Sequence, residues 1–348
     1  MLTFHLYTIE DLSNWLLHNE DNGITDNMIS RTRAWALVCN PCAKETDIAI
    51  SAVRDSGNVI GYTAVFAEKL NDTFQNELYY WGSTQWIEPE YRGKGISAKM
   101  MLQLKEALDH KYIGLDSSIA SCKLDQKQGY SIKYYNRYFF QWQRTNNRIK
   151  SVLKQQYVQY HNTKVSKLLK KYKYSNRYIS FVDDLTYSFI KKHSKQDLFL
   201  RRQDMFTWIL QYPFWCPIGN DTKVIIETCM FGSHIKNFKI SAVQVYKNDI
   251  LCGVYFYSIV DSVFKLLYLY FNDEYSQNVF ASITNLAIQN NVAKFCTMNI
   301  DLYNFMLKVG IKGMYSKSHT ESISLTLPPD VEINTNLSIQ GGDGDMFC

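Results

Sequence analysis

No apolar run in this chain approaches the roughly 18 residues that a membrane-spanning helix needs. The densest apolar stretch, Leu251 to Val260, is interrupted by Gly253 and Ser258 and reads as a strand. The opening MLTFHLYTIEDL has no basic head and meets acids at Glu10 and Asp11, so no signal peptide is expected and the expected compartment is the cytoplasm. Proline is scarce, 6 in 348 residues, which excludes long proline-rich linkers. Neither charge sign dominates, with 38 Lys and Arg against 33 Asp and Glu. At 46% hydrophobic and 20% charged, the composition excludes disorder and collagen. The 8 cysteines are scattered, as buried thiols of a cytosolic chain would be. Cys39 and Cys42 form C-N-P-C, but no second pair and no histidine pair follows at zinc spacing, so no metal is expected.

Aromatic residues are abundant, at 15% of the chain with 25 Tyr and 19 Phe, and the length suits two domains, each with its own core. The net charge of +5 is unevenly placed. Twelve Lys and Arg fall between Ser131 and Arg177, where there is no acid; the rest of the chain carries 26 bases against 33 acids, a net of −7. Tyr134, Tyr135, Tyr138, Phe139, Phe140 and Trp142 share this segment. Basic residues among aromatics suit nucleic acid or an anionic membrane surface. They equally suit a connecting segment whose rings pack inward under Lys and Arg stems, and that is the reading adopted. A nucleic-acid partner is not expected, and peripheral membrane contact stays open.

Periodicity predicts helices over 11–19 and 26–39, then strands over 47–53, 59–67 and 78–87, a helix over 97–110, a strand over 112–115 and a helix over 119–128 stopped by Gly129. The most informative join is Q-W-I-E-P-E-Y-R-G-K-G-I-S-A, Gln85 to Ala98. A strand runs out through Trp86 and Ile87, and Pro89 ends it. Arg92, Gly93, Lys94 and Gly95 form a tight basic loop, and a helix opens at Ile96 or Ser97. Two glycines let backbone N–H groups converge, and the helix N-terminus and two basic side chains add positive charge. This is an anion cradle suited to a pyrophosphate. It lacks the Lys-Ser/Thr of a P-loop and the third glycine and downstream acid of a Rossmann loop.

Y-R-G-K-G-I-S resembles the acyl-CoA-binding motif of the GNAT superfamily of N-acyltransferases, R/Q-x-x-G-x-G/A. Arg92 and Gly95 match it, and Ser97 stands where Gly or Ala is usual. L-D-Q-K-Q-G-Y, Leu124 to Tyr130, resembles a second GNAT motif, L-Y-E-K-x-G-F. The resemblance implies an acyl-CoA co-substrate, acetyl-CoA or 3-hydroxybutanoyl-CoA, held by Trp86, Ile87 and Arg92 to Ser97. It implies direct attack of a neutral amine on the thioester. Asp125 takes the place of a Tyr that protonates the leaving thiolate in many relatives; an ionised Asp is a poor acid, so Tyr130, Tyr134 or water is the alternative donor. Glu88 and Asp116, at strand ends, are the candidate bases; His5 and His110 are weaker ones.

The second half repeats the plan faintly. D-I-L-C-G-V-Y-F-Y-S-I-V, from Asp249, resembles N-V-I-G-Y-T-A-V-F-A, from Asn58, and Y-N-F-M-L-K-V-G-I, from Tyr303, echoes the second motif. Where the cradle should recur stands F-N-D-E-Y, whose Asp273 and Glu274 would repel a pyrophosphate. The expected fold class is α/β (α+β): two tandem GNAT-like domains, each a mixed, largely antiparallel sheet flanked by helices. The expected organisation is a CoA-carrying domain over 1–135, a connecting segment over 136–200, a second domain over 201–335 and an acidic, Gly-rich tail over 336–348. Arg31 to Pro41 and Leu200 to Leu210 resemble the acceptor side of N-acyltransferases acting on nucleotide-linked amino sugars such as dTDP-3-amino-3,6-dideoxyhexose, enzymes of bacterial surface-glycan synthesis. Arg31, Arg33, Arg201 and Trp208 are the expected acceptor residues, with Arg202, Phe214 and Trp215 beside them. Two alternatives stay open: a Fem-like aminoacyl or peptidyl transferase, and a degenerate, non-catalytic GNAT relative that binds a membrane or partner through 131–177.

Overall fold

The computed structural model describes residues 1–18, 22–26, 28–70, 77–142, 148–194, 197–199, 201–211, 238–310, 316–329, 331 and 338–344. The first half runs β1 (Leu2–Thr8), α1 (Ile9–His18), α2 (Arg31–Val38), β2 (Ile48–Asp55), β3 (Asn58–Lys69), β4 (Leu78–Ile87), α3 (Ile96–Ala107), β5 (Tyr112–Leu115), α4 (Ile119–Lys127) and β6 (Ser131–Trp142). A long helix, α5 (Arg148–Leu169), follows. The second half runs β7 (Ser175–Ile179), α6 (Asp184–His193), α7 (Gln203–Gln211), β8 (Phe238–Lys247), β9 (Ile250–Val260), β10 (Val263–Phe271), α8 (Ser276–Gln289), β11 (Lys294–Thr297), α9 (Ile300–Lys308) and β12 (Ser316–Leu327). Among the described residues the order of element types is the same in both halves.

All twelve strands join in one sheet, in the order β1-β2-β3-β4-β5-β12-β6-β11-β10-β9-β8-β7. Two pairs are parallel, β4 with β5 and β10 with β11; the others are antiparallel. The expected mixed α/β class is what the structure shows. The closing strands are exchanged between the halves. β6 leaves the first half to pair with β11, β12 returns from the second to pair with β5, and the two pair with each other from Ser131↔Leu327 to Trp142↔Ser316.

This exchange revises the expected boundaries. A cut at residue 135 falls inside β6, a central strand. Phe139 and Phe140 are buried there, Phe139 between the His319 ring at 4.8 Å and Lys294 Nζ at 3.9 Å from its centroid. The basic stretch is therefore strand first and connecting helix second. The second run of the element order opens at β7 (Ser175–Ile179), ahead of the expected start at residue 201. Its signal is in the sequence: Asp183-Asp184-Leu185-Thr186 repeats the Glu10-Asp11-Leu12-Ser13 that opens α1. In both places a short polar side chain closes the first turn: Thr8 and Asp11 bond reciprocally, and Asp183 accepts from Thr186 N at 2.8 Å.

The β3 residues alternate between two cores, as a central strand requires. Tyr62, Ala64 and Phe66 face α1 and α2, whose Leu12, Trp15, Ala34 and Leu37 share their cluster; Val65 faces α3 with Met101 and Leu104. Gly61 and Gly253 occupy the same register, each opposite the last residue of the next strand, Ile87 and Phe271. No helix among the described residues is long and apolar enough to cross a membrane.

Candidate functional site

β4 and β5 pair only at Tyr80↔Tyr112 and Trp81↔Ile113. Past Trp81 the strands diverge, since β5 turns to pair Gly114 and Leu115 with β12. The β4 backbone from Gly82 to Ile87 thus lines one arm of a V whose vertex is at Trp81. At the open end of this arm lies the glycine loop. Gly93 and Gly95 have φ of +77° and +74°, the left-handed region that only glycine enters at no cost. A Cβ at either would meet nothing within 4 Å, so the space above the loop is open to a ligand. Gly95 is the N-cap of α3, whose first three N–H groups have no helical acceptor. Arg92 Nε donates to Ile87 O at 2.9 Å, pinning the loop to the end of β4, and Gln85 Nε2 donates to Ser97 Oγ at 2.7 Å. Lys94 lies 5.1 Å over the Tyr91 ring, and Tyr91 Oη donates to Asp55. A cleft of ≈ 410 Å³ is walled by β4, the loop and α4, including Gln85, Ile87, Arg92, Gly95, Ser121 and Leu124. A larger cavity of ≈ 680 Å³ opens at the other end of β4, beside Leu78 and Tyr80, with neither a glycine loop nor a helix N-terminus. The smaller cleft has the donor set that a diphosphate needs.

Trp86, Ile87, Arg92, Gly93, Lys94, Gly95, Ile96 and Ser97 thus lie together, and their donors fit the pyrophosphate of CoA. The other expected residues scatter. Asp125 is buried and paired with Lys105 Nζ, and it accepts from Thr326 Oγ1 at 3.2 Å. Lys105 in turn lies 4.1 Å over the Tyr130 ring. Asp125 is therefore a structural anion under α3 and α4 and is removed from the catalytic candidates. Tyr130 donates to His110 O, and Tyr134 is exposed. Glu88 stands at the open end of β4; seven residues of strand at about 3.3 Å each put it about 23 Å from the vertex. Asp116 follows β5 directly and pairs with Arg137 at 3.0 Å.

Of the acceptor candidates, Arg33 is buried on α2 and donates to Ser83 Oγ, two residues past the vertex. Arg31 lies on the surface, 5.0 Å over Trp15. Arg201 and Trp208 are corrections. Arg201 is buried between Glu68 at 2.9 Å and Asp343 at 2.7 Å, and so already has its anions. Trp208 is in the core, its Nε1 donating to Ala36 O at 2.7 Å. Arg202 pairs with Asp204, and Phe214 and Trp215 lie outside the described residues. Cys39 and Cys42 are free thiols; burial pushes Cys42 up to about 11.

The second half has the same V. β10 pairs β11 only from Val263 to Lys265. Its free arm is lined by the chain itself: Gly342 N donates to Leu267 O at 2.8 Å, Leu269 N to Gln340 Oε1 at 2.7 Å, and Tyr268 Oη to Gly342 O. The expected acidic tail is, over Ser338–Gly344, a packed strap, with Asp343 1% exposed. Asp273 and Glu274 stand where the glycine loop would be, ahead of α8. The strap was missed from sequence. Its signal is Gly341-Gly342, where a Cβ would strike Leu266 O and the Tyr268 ring.

Comparison with known proteins agrees with this geometry. Residues 9–139 match the model of the acetyltransferase (GNAT) family. No curated protein matches the chain. Among solved structures, a GCN5-related N-acetyltransferase from Anabaena variabilis is similar at TM-score 0.50 and 10% identity, over 93% of this chain and 72% of that one. A probable N-acyltransferase from Enterococcus faecalis is similar at 0.51 and 11%, over 94% and 73%. Saccharomyces cerevisiae N-myristoyltransferase with bound myristoyl-CoA is similar at 0.51 and 9%, over 97% and 86%. At these identities the structures speak to fold alone, and the likeness to the acetyltransferase family is that of residues 9–139. The match to the acetyltransferase (GNAT) family covers less than half of the chain and is a likeness of that segment to the family.

Proposed function

We propose that this chain transfers an acyl group from acyl-CoA to a primary amine by direct attack, with the first half holding the CoA. The observation that carries this reading is the left-handed glycine loop at the N-terminus of α3, placed at the open end of the β4 arm. The Gly93–Ser97 backbone donors, with Arg92 and Lys94, hold the pyrophosphate. The β4 backbone from Gly82 to Ile87 offers hydrogen bonds to the pantetheine amides. Acyl-CoA supplies the thioester carbonyl that the amine attacks. A β4 N–H near the vertex stabilises the charge that develops on its oxygen. Glu88 is too far along the strand to serve that carbon, so Asp116, three residues past Ile113 and nearer the vertex, is the carboxylate base, acting through water.

For the acceptor we propose the amino group of a nucleotide-linked amino sugar. Its support is the resemblance at Arg31 to Pro41 and Leu200 to Leu210, which the fold reveals as equivalent helices, α2 and α7. Arg33, which donates to Ser83 Oγ two residues past the vertex, would face a diphosphate or a sugar hydroxyl. The test is thiol release from acetyl-CoA across nucleotide amino sugars, free amino sugars, polyamines, peptides and aminoacyl-tRNA. Turnover is expected with the first class, rising with pH as the amine loses its proton. Turnover on peptides or polyamines alone would end the sugar reading and leave the acyl-CoA reading standing.

A further inference from the structure

We propose that the strap Ser338–Gly344 is the acyl-length gauge of this enzyme: it is seated in the second half's V and ends against Trp81 and Leu115, closing the floor of the first half's vertex to all but a short acyl group. The inference rests on the acyl-CoA reading above and adds a specificity-determining element to it.

The strap is fixed at one end by hydrogen bonds to the β10 edge through Gln340 and Gly342. Gln340 Nε2 also donates to Asp197 at 2.9 Å. Asp343 then carries the chain across the centre of the molecule to Arg201, which is shared with Glu68 of β3. Glu68 in turn accepts from Trp81 Nε1 at 2.6 Å, so the strap and the vertex tryptophan belong to one buried chain of charge-assisted bonds. The next residue, Gly344, reaches the vertex itself. A Cβ there would lie 3.2 Å from Leu115 Cδ2 and 3.4 Å from Trp81 Cε3, and its φ is +68°. Leu115 lies on the β5 arm and Trp81 is the β4 residue at the vertex, so Gly344 sits against both strands of the V.

An acyl chain directed inward from a thioester at the vertex would meet this floor. It cannot pass beside it. Trp81 is fully buried and packs on Phe199 at 4.6 Å, and Phe199 belongs to the segment that pairs with Leu70 of the first half and lies beside Ser338 of the strap. A core at this density does not open for extra methylenes without moving the strap. The gauge would accept an acetyl group and exclude a fatty acyl chain.

The experiment titrates CoA, acetyl-CoA and hexanoyl-CoA into the full chain by calorimetry. The wild type should bind CoA and acetyl-CoA alike, and hexanoyl-CoA at least about tenfold more weakly. Gly342→Val places a branched side chain against Tyr268 and lifts the strap. Amide exchange at Gly342 and Leu269 reports that lift. In this variant the hexanoyl-to-acetyl gap should close while the affinity for CoA itself is unchanged. If Gly342→Val does not fold, Gln340→Ala, which removes two strap contacts, to Leu269 N and Asp197, at a half-buried site, should narrow the gap. Equal binding of hexanoyl-CoA and acetyl-CoA by the wild type overturns the proposal, as does a gap that persists when the strap amides exchange freely. Failure of CoA itself to bind would instead overturn the acyl-CoA reading, so the two failures are told apart.

Discussion

The two halves of this molecule share one sequence of elements and one splayed pair of parallel strands, yet they use the V differently. In the first half its mouth carries Gly93 and Gly95 at positive φ and its arm lines a cleft of ≈ 410 Å³. In the second half its mouth carries Asp273 and Glu274 and its arm is hydrogen-bonded to the strap. The fold supplies a groove with unpaired backbone twice. A handful of residues at the mouth, and one short segment along the arm, decide which groove takes a ligand.

The sharpest way to break this comparison is to untie the halves. Arg201→Met leaves Glu68 and Asp343 buried without their cation and should cost about 3–5 kcal/mol. Urea unfolding measures it, and a loss under about 1 kcal/mol would mean that the strap is not anchored there. The next largest effect is at the glycine loop. Gly95→Val should weaken CoA binding by about a hundredfold or more, roughly 2.7 kcal/mol. Forcing φ near +74° on a branched residue should also cost about 1–2 kcal/mol of stability. Tyr275→Val, at the matching cap of α8, should leave CoA binding untouched. Calorimetry with both variants asks whether the halves differ as described.

Arg92→Ala removes one charge-assisted contact and should cost about 1.5–3 kcal/mol of CoA affinity. The double change Asp273→Lys, Glu274→Lys should not alter it. If the double change has the larger effect, the halves are reversed. The smallest effect is a pH slope. Burial, with Asp343 near it, pushes Asp197 up to about 7, and burial raises Glu68 to about 7 against the pull of Arg201. A raised carboxyl pKa means that the folded chain keeps a proton the unfolded chain releases. This stabilisation is complete below the unfolded value and is lost as pH climbs to about 7. Stability should therefore fall between about pH 5 and 7, by at most about 1.4 kcal/mol per pH unit for each group. Asp197→Asn should flatten that slope, as read from melting temperatures across the range.

The glycine loop was legible in the sequence because its requirement is local. Two positive-φ residues between a strand and a helix can be read from Gly93, Gly95 and Pro89 alone. The repeat was half legible: the Gly61 and Gly253 strands match, but the opening of the second half at Asp183 follows a long basic stretch that hides its likeness to α1. The strap was not legible as a buried element. Gly341 and Gly342 owe their identity to Leu266 and Tyr268, which lie far off in sequence, and G-G-D-G reads locally as a flexible, polar stretch. Adjacent arginines show the same limit. Arg201 is 5% exposed and Arg202 is on the surface, a difference made by Glu68 and Asp343 and invisible in the dipeptide. Asp125 looked like a substituted catalytic acid, and its partner Lys105, one helix upstream, was the missing information.

The exchange of β6 and β12 has a consequence for how the chain comes into being. Synthesis delivers the first half early, but the strand that completes its sheet beside β5 is β12, made long after it. Until then the edge of β5 stays open, and β6 waits for β11. Each half is therefore a template that only the other can finish. The pairing that matters most joins residues nearly two hundred positions apart, which makes assembly slow and all-or-none. A fragment ending near Leu115 would emerge with an unprotected sheet edge and a tendency to aggregate. Fragments that keep their exchanged strands would instead find one another, so that two separate chains could be expected to behave as a heterodimer with a single active cleft.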